Sequence, residues 1–411
     1  MPLRIILALL LLPCLGRPNL HAQEFHLFDR NVQVHGWLSQ GFVYTDNNNW
    51  LTMNTTSGSA AMTDVGLNLS TQVTDNFRVG AQVFDRDLGK LGEWHPSLDW
   101  AVADYRFTSR FGVRGGKVKT VLGLFNDTQD QDFLHTFALL PQSVYPIDLR
   151  DAAIAHLGGD VYGRSRLPRR LGDISYTAYA GRRNDGLHSG YPYLLTQFGT
   201  YLKSIDGLQY GADARWSTPA RGLLVGASRM DQDTSGRGTA VNPAGSALPM
   251  ILAHEFSRAD WTNQFYGQYV LHRLEIDSEF RRYVRDQLIF SGTSENDTDA
   301  RGWYIAGSYQ LARRWEVGSY YSRYTITSIF KGVLGQSVPP QTDTSLPLNH
   351  IYDKVLTIRF NVNRFCNLKV EGHFMNGFAN APYPDGFYPQ ENPNGFAPDT
   401  NALVLQTGFS F

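Results

Sequence analysis

Apolar and polar residues alternate at period two through most of this chain, and the alternation is broken by gaps that are short and long in turn. In Leu403–Phe411 the odd positions are Leu403, Leu405, Thr407, Phe409 and Phe411, and the even ones Val404, Gln406, Gly408 and Ser410. Val65/Leu67/Leu69, Phe77/Val79/Ala81/Val83 and Leu356/Ile358/Phe360/Val362 repeat the pattern. Side chains that change face at every residue belong to β-strands, so one face of each segment is greasy and the other polar or small. The chain holds about sixteen such segments, near 32–44, 62–73, 76–86, 97–107, 110–122, 156–166, 172–182, 205–217, 221–231, 262–271, 273–284, 301–311, 314–325, 351–362, 367–378 and 400–411. Eight long gaps (45–61, 87–96, 123–155, 183–204, 232–261, 285–300, 326–350 and 379–399) alternate with seven short ones.

A β-sandwich has no reason to sort its loops by length, whereas a transmembrane barrel does. Strands of ~9–11 residues or somewhat more cross the bilayer, with short turns on the periplasmic side and long loops outside. Backbone groups in lipid must be paired, and only a closed barrel pairs them without an edge. The expected fold is therefore an all-β transmembrane antiparallel β-barrel of about sixteen strands, spanning 23–411.

Residues 1–22 read as a secretory signal peptide: Arg4 is the basic start, Ile5–Leu12 the apolar run, and Ala22 the small residue before the cut. The chain is therefore expected to be exported. Beyond the leader no apolar stretch reaches the ~18–20 residues of a membrane helix. Composition agrees with a folded chain. It is 42% hydrophobic and 13% aromatic, which excludes disorder, and its net charge of −1 argues against nucleic acid as a partner. Cys14 lies in the leader, which leaves Cys366 and rules out a disulfide-built scaffold.

Charges in mid-strand belong in the lumen, because Arg or Lys on the lipid face costs roughly 2–4 kcal/mol at mid-depth. This parity places Arg78, Arg86, Asp104, Arg106, Lys117 and Lys119 inside, with a second cluster at Glu275, Asp277 and Glu279. Tyr105, Phe107, Trp303, Tyr309, Trp315, Tyr321, Phe409 and Phe411 fall on apolar faces, mostly towards strand ends, as aromatic girdles do.

Several stretches resemble Gram-negative outer-membrane porins, and among these the phosphate-selective-porin-like branch. They are Val34-His35-Gly36-Trp37-Leu38, Phe77 to Phe84, Leu98 to Arg106, Gly115-Gly116-Lys117-Val118-Lys119 with Gly123-Leu124-Phe125-Asn126, Asn367 to Phe374, and the terminal Phe411. The resemblance implies a homotrimer in outer-membrane lipid that lets small hydrophilic solutes or ions diffuse across. It implies that the barrel-assembly machinery reads Phe411. It also implies that the third external loop, here 123–155, folds inward as the constriction; this loop carries Asp127, Asp130, Asp132, Asp148 and Asp151 against His135 and Arg150. An acidic loop opposite a basic wall would set a transverse field across the opening. A short helical turn is expected within Phe133–Leu140.

Enzymatic signatures are weak. The histidines are scattered without metal-ligand spacing, Gly-x-Ser-x-Gly is missing, and no Gly-rich phosphate loop is present, so neither catalysis, cofactor nor metal is expected. Two other classes stay open: an outer-membrane β-barrel enzyme of lipase or protease type, and a soluble secreted carbohydrate-binding β-protein.

Overall fold

The computed structural model describes residues 23–27, 30–168, 171–183, 186–197, 199–241, 250–290, 294–331, 340–379 and 386–411. The signal peptide assigned to 1–22, with Cys14, lies outside the described residues.

Among the described residues seventeen strands form one sheet: β1 (Gln23–Leu27), β2 (Arg30–Thr45), β3 (Ser59–Thr74), β4 (Phe77–Leu88), β5 (Ser97–Thr108) and β6 (Phe111–Lys119) come before the longest connection. After it come β7 (Ala155–Arg166), β8 (Asp173–Arg183), β9 (Thr200–Ser217), β10 (Leu223–Val241), β11 (Met250–Leu271) and β12 (Leu274–Phe290). The last are β13 (Ser294–Ala312), β14 (Trp315–Lys331), β15 (His350–Asn361), β16 (Cys366–Asn376) and β17 (Asp399–Ser410). Each strand pairs antiparallel with its sequence neighbour, and β17 returns to β2, with Leu405 opposite Phe42 and Phe409 opposite Leu38. β2–β17 thus close into a sixteen-stranded barrel, and β1 folds back on the start of β2. The last residue completes the seam, since Phe411 N–H donates to Gly36 O (3.0 Å) and Gly36 N–H to Phe411 O (3.3 Å).

Burial is inverted relative to a water-soluble sheet. Leu356, Ile358, Val370 and Phe374 are 48–61% exposed, while Asp353, Thr357, Lys369, Glu371 and His373 on the opposite parity are 0–5% exposed. Apolar atoms face outward and charges inward, which is stable only if lipid wets the outside. Tyr105, Phe107, Tyr309 and Trp315 are among the exposed outward aromatics.

Three expectations need correction. The expected loops 232–261 and 285–300 are largely strand, because β10 and β11 run to Val241 and from Met250, and β12 and β13 run to Phe290 and from Ser294. These extensions lack apolar alternation; ladder bonds such as Thr234 opposite Ser257 hold them instead. The expected loop 183–204 contains a short helix, Gly190–Thr196, and gives way to β9 at Thr200. The inward loop spans 120–154, and its helical turns are 3-10 segments at Asp132–Leu134, which overlaps the start of the turn expected within Phe133–Leu140, and at Ile147–Ala152.

Candidate functional site

The loop 120–154 is pinched at its base. Thr120 N–H donates to Ile154 O (3.0 Å), and the Asn126 amide donates to Thr120 O (2.7 Å) and Ala153 O (2.9 Å). Gly123, at φ +73°, turns the chain away from the wall where a Cβ would run into Gln264 and Glu279, so only glycine fits.

The backbone of this loop crosses the barrel interior, where its polar groups need partners. Wall side chains supply them. Glu279 accepts from Leu124 N–H (3.0 Å), Gln264 (2.7 Å), Tyr145 (2.6 Å) and Tyr304 (2.6 Å). Glu371 accepts from Ala138 N–H (2.8 Å) and Leu139 N–H (3.0 Å). Lys369 donates to Asp132 O (2.6 Å) and Phe137 O (2.8 Å). Arg359 donates to His135 O (3.0 Å) and Phe133 O (2.9 Å), and Arg281 to Val144 O (2.8 Å). The wall that meets the loop is therefore of mixed sign. Phe137, Val144 and Tyr145 pack against Tyr304, Tyr320 and Val355 between these anchors.

Among the loop's own acids Asp130 is locally neutralised. Asp130 lies between Lys119 (3.0 Å) and Gln82 (2.6 Å), with Arg150 at 3.9 Å. Arg150 is clamped by both oxygens of Asp99 (3.0 and 2.9 Å) and sits 4.0 Å over the Phe84 ring. Asp132 accepts from Ser39 (2.8 Å) and Gln406 (2.9 Å). Burial, reinforced by the nearby Asp64 charge, pushes its carboxyl up to about 6. Arg86 pairs with both oxygens of Asp64 (2.7 and 2.8 Å) and donates to Ile147 O (2.7 Å), so it too holds the loop.

Of the other expected lumen residues, Lys117 borders this knot, lining a cavity with Arg86, Asp99, Asp148 and Asp151, and the rest lie apart from it. Arg78 faces Asp104 across β4 and β5 and donates to Ser70 (3.0 Å), while Tyr162 donates to Asp104 (2.6 Å). Arg106 is exposed opposite Gly112. Lys117 pairs across the sheet with Leu157, an exposed apolar residue, and its ammonium donates to Leu98 O (2.7 Å). Asp127, Glu275 and Asp277 line a cavity of about 430 Å³ on the short-turn side of the loop, together with Arg215, Glu316 and Arg359. On the long-loop side a smaller cavity of about 120 Å³ is lined by Arg150, Arg183, Arg281 and Arg285, of which Arg150 is held by Asp99 (2.9 Å) and Arg285 by Asp260 (3.0 Å) behind the lining.

The anchors Lys369, Glu371 and Arg359 were missing from the expected site. The same parity rule finds them, since each alternates with an outward apolar residue in mid-strand. The segment from Gly386 onward also belongs to the site. Tyr388 O–H (2.6 Å) and Gly386 N–H (3.2 Å) donate to Asp148, and burial pushes that carboxyl up to about 6. Among the described residues no group of three His, Cys, Asp or Glu is arranged to hold a metal ion, and no helix is long and apolar enough to cross a membrane.

No protein-family model matches the chain, and no curated protein matches it in sequence. Solved structures do. The anion-selective porin from Comamonas acidovorans aligns with a TM-score of 0.56 at 11% identity, over 93% of this chain and 100% of that one. OmpT, an outer membrane protein of Vibrio cholerae, aligns at 0.54 and 11% identity, over 95% and 100%. The outer membrane channel DcaP of Acinetobacter baumannii aligns at 0.52 and 10% identity, over 94% and 99%. At this level of identity the likeness is one of fold: a closed outer-membrane β-barrel.

Proposed function

We propose that this chain is a passive porin of a Gram-negative outer membrane, exported through its leader and assembled as a homotrimer. One observation carries the reading: a closed barrel with a polar interior holds a 35-residue loop, 120–154, across its middle by wall side chains from many strands. Such a loop sets the width and charge of a water-filled conduit, and no residue has to perform chemistry. Small hydrophilic solutes or ions are the cargo. Four arginines line the outer cavity, and although Arg150 is paired with Asp99 and Arg285 with Asp260, this basic lining supports a preference for anions. The similarity of fold to a porin described as anion-selective points the same way.

Purified protein in planar bilayers is expected to give ohmic channels. Deleting 127–140 should raise their conductance, and an unchanged value would remove the constriction from the proposal. Reversal potentials in a salt gradient test the ion preference; cation selectivity would contradict the role given to the arginines.

A further inference from the structure

The outward face carries charges where a lipid-facing sheet should not. Arg229 on β10 lies opposite Asn263 on β11, Asn263 opposite Arg282 on β12, and Arg282 opposite Arg301 on β13, so the four form one cross-strand row. Parity puts this row on the outside. The neighbours of Arg282 at odd positions, Glu279 and Arg281, bond to the inward loop, whereas Phe280 is exposed outward. One row towards the short-turn end come Phe265, Phe280, Trp303 and Arg323, and one row further on β15 comes Lys354.

Two features of the row call for an anion. Arg282 and Arg301 oppose each other directly, a like-charge pairing that destabilises a sheet, and they share one carboxylate, Asp299 (2.9 and 3.0 Å). Over the patch five cations (Arg229, Arg282, Arg301, Arg323 and Lys354) stand against two carboxylates, Asp231 and Asp299, an excess of three. The guanidinium groups are also held in place. Arg229 and Arg282 lie 5.3 and 5.2 Å over the Trp261 ring, and Arg323 lies 4.7 Å over Tyr352. Their side chains keep 40–55% exposure in the row, so they have room for a further ligand.

We infer that this patch docks the phosphate-bearing headgroup of an anionic lipid. Cations are tolerated on the outer face of a barrel only near the interface, so the patch as a whole marks where headgroups meet the barrel wall. Phosphate oxygens accept from the forked guanidinium groups, while the acyl chains lie on Phe265, Phe280 and Trp303, flanked on β14 by Arg323. The inference rests on the membrane reading above. A barrel that conducts but shows no lipid preference overturns this inference and leaves that reading intact.

The test is native mass spectrometry of the full-length protein in zwitterionic detergent, titrated with dioleoyl phosphatidic acid or dioleoyl phosphatidylcholine. Wild-type protein should retain phosphatidic acid in preference. Arg229→Gln/Arg282→Gln/Arg301→Gln, made with Asp231→Asn and Asp299→Asn so that no carboxylate is stranded, should lower that retention roughly tenfold, with conductance unchanged. Arg323→Gln/Lys354→Gln is a milder variant that leaves every ion pair of the row in place and should lower retention in the same direction. Equal retention of the two lipids, or retention indifferent to both variants, overturns the inference. So does displacement of the lipid by equimolar inorganic phosphate, which would make this a site for free anions, or a change of oligomer mass in the variants, which would make it a subunit interface.

Discussion

Glu371 shows what a single buried charge does in this barrel. It is 0% exposed, and each of its two oxygens receives an N–H from the tip of the inward loop. Glu371→Ala would strand those two donors at about 1–3 kcal/mol apiece. Hydrogen exchange at Ala138 and Leu139 should accelerate and channel noise should rise, with the barrel itself intact by heat-modifiable gel mobility. Asp148 makes a pH-dependent contact. Burial is the main cause of its raised carboxyl, opposed by the Tyr388 and Gly386 hydrogen bonds and the charge of Arg86, and its second oxygen has no partner. The native state therefore binds a proton that the unfolded chain releases at its ordinary value of 3.8, so stability is greatest below that value. It falls as pH rises through the window from 3.8 to about 6 and is flat above it. Across that window the docking of the segment from Gly386 should weaken by about 2–3 kcal/mol, read as faster amide exchange there. Asp148→Asn keeps a neutral acceptor for Tyr388 and should flatten the dependence.

At the scale of elements, the inward loop is held mainly by side chains of distant strands rather than by its own secondary structure, which amounts to two 3-10 segments. Gly123 decides where it leaves the wall. Gly123→Val would combine a strained φ of +73° with a collision against Gln264 and Glu279. It should displace the loop and raise conductance towards that of the 127–140 deletion; conductance equal to wild type would show that the turn bends at no cost. Strand lengths carry a second lesson. β5 to β8 have 9–12 residues and β9 to β14 have 17–22, so one side of the barrel stands well above the other.

For the whole molecule the seam between β17 and β2 is decisive, because a barrel with one unpaired edge leaves a row of backbone groups in lipid. Deleting Phe411 removes both hydrogen bonds to Gly36 and the ring that lies on that glycine. A smaller heat-modifiable fraction by gel is expected; wild-type yield without Phe411 would free this residue from any part in assembly.

Period two determined a good deal without any structure. It located all sixteen barrel strands and set the bounds of β2–β8 and β15–β17 to within a few residues, because lipid enforces the contrast between faces residue by residue; β9–β14 run 5–12 residues further at their long-loop ends. Residues such as Lys369 and Glu371 could be placed inside by parity alone. The sequence did not show where alternation ceases but pairing continues, as in 232–241, since outside hydrocarbon a ladder needs no greasy face. Nor could it show which carboxylate meets which N–H. Glu279 with Leu124 and Glu371 with Ala138 are partners more than 150 residues apart, brought together only when the sheet closes and the loop has no other place to satisfy its backbone.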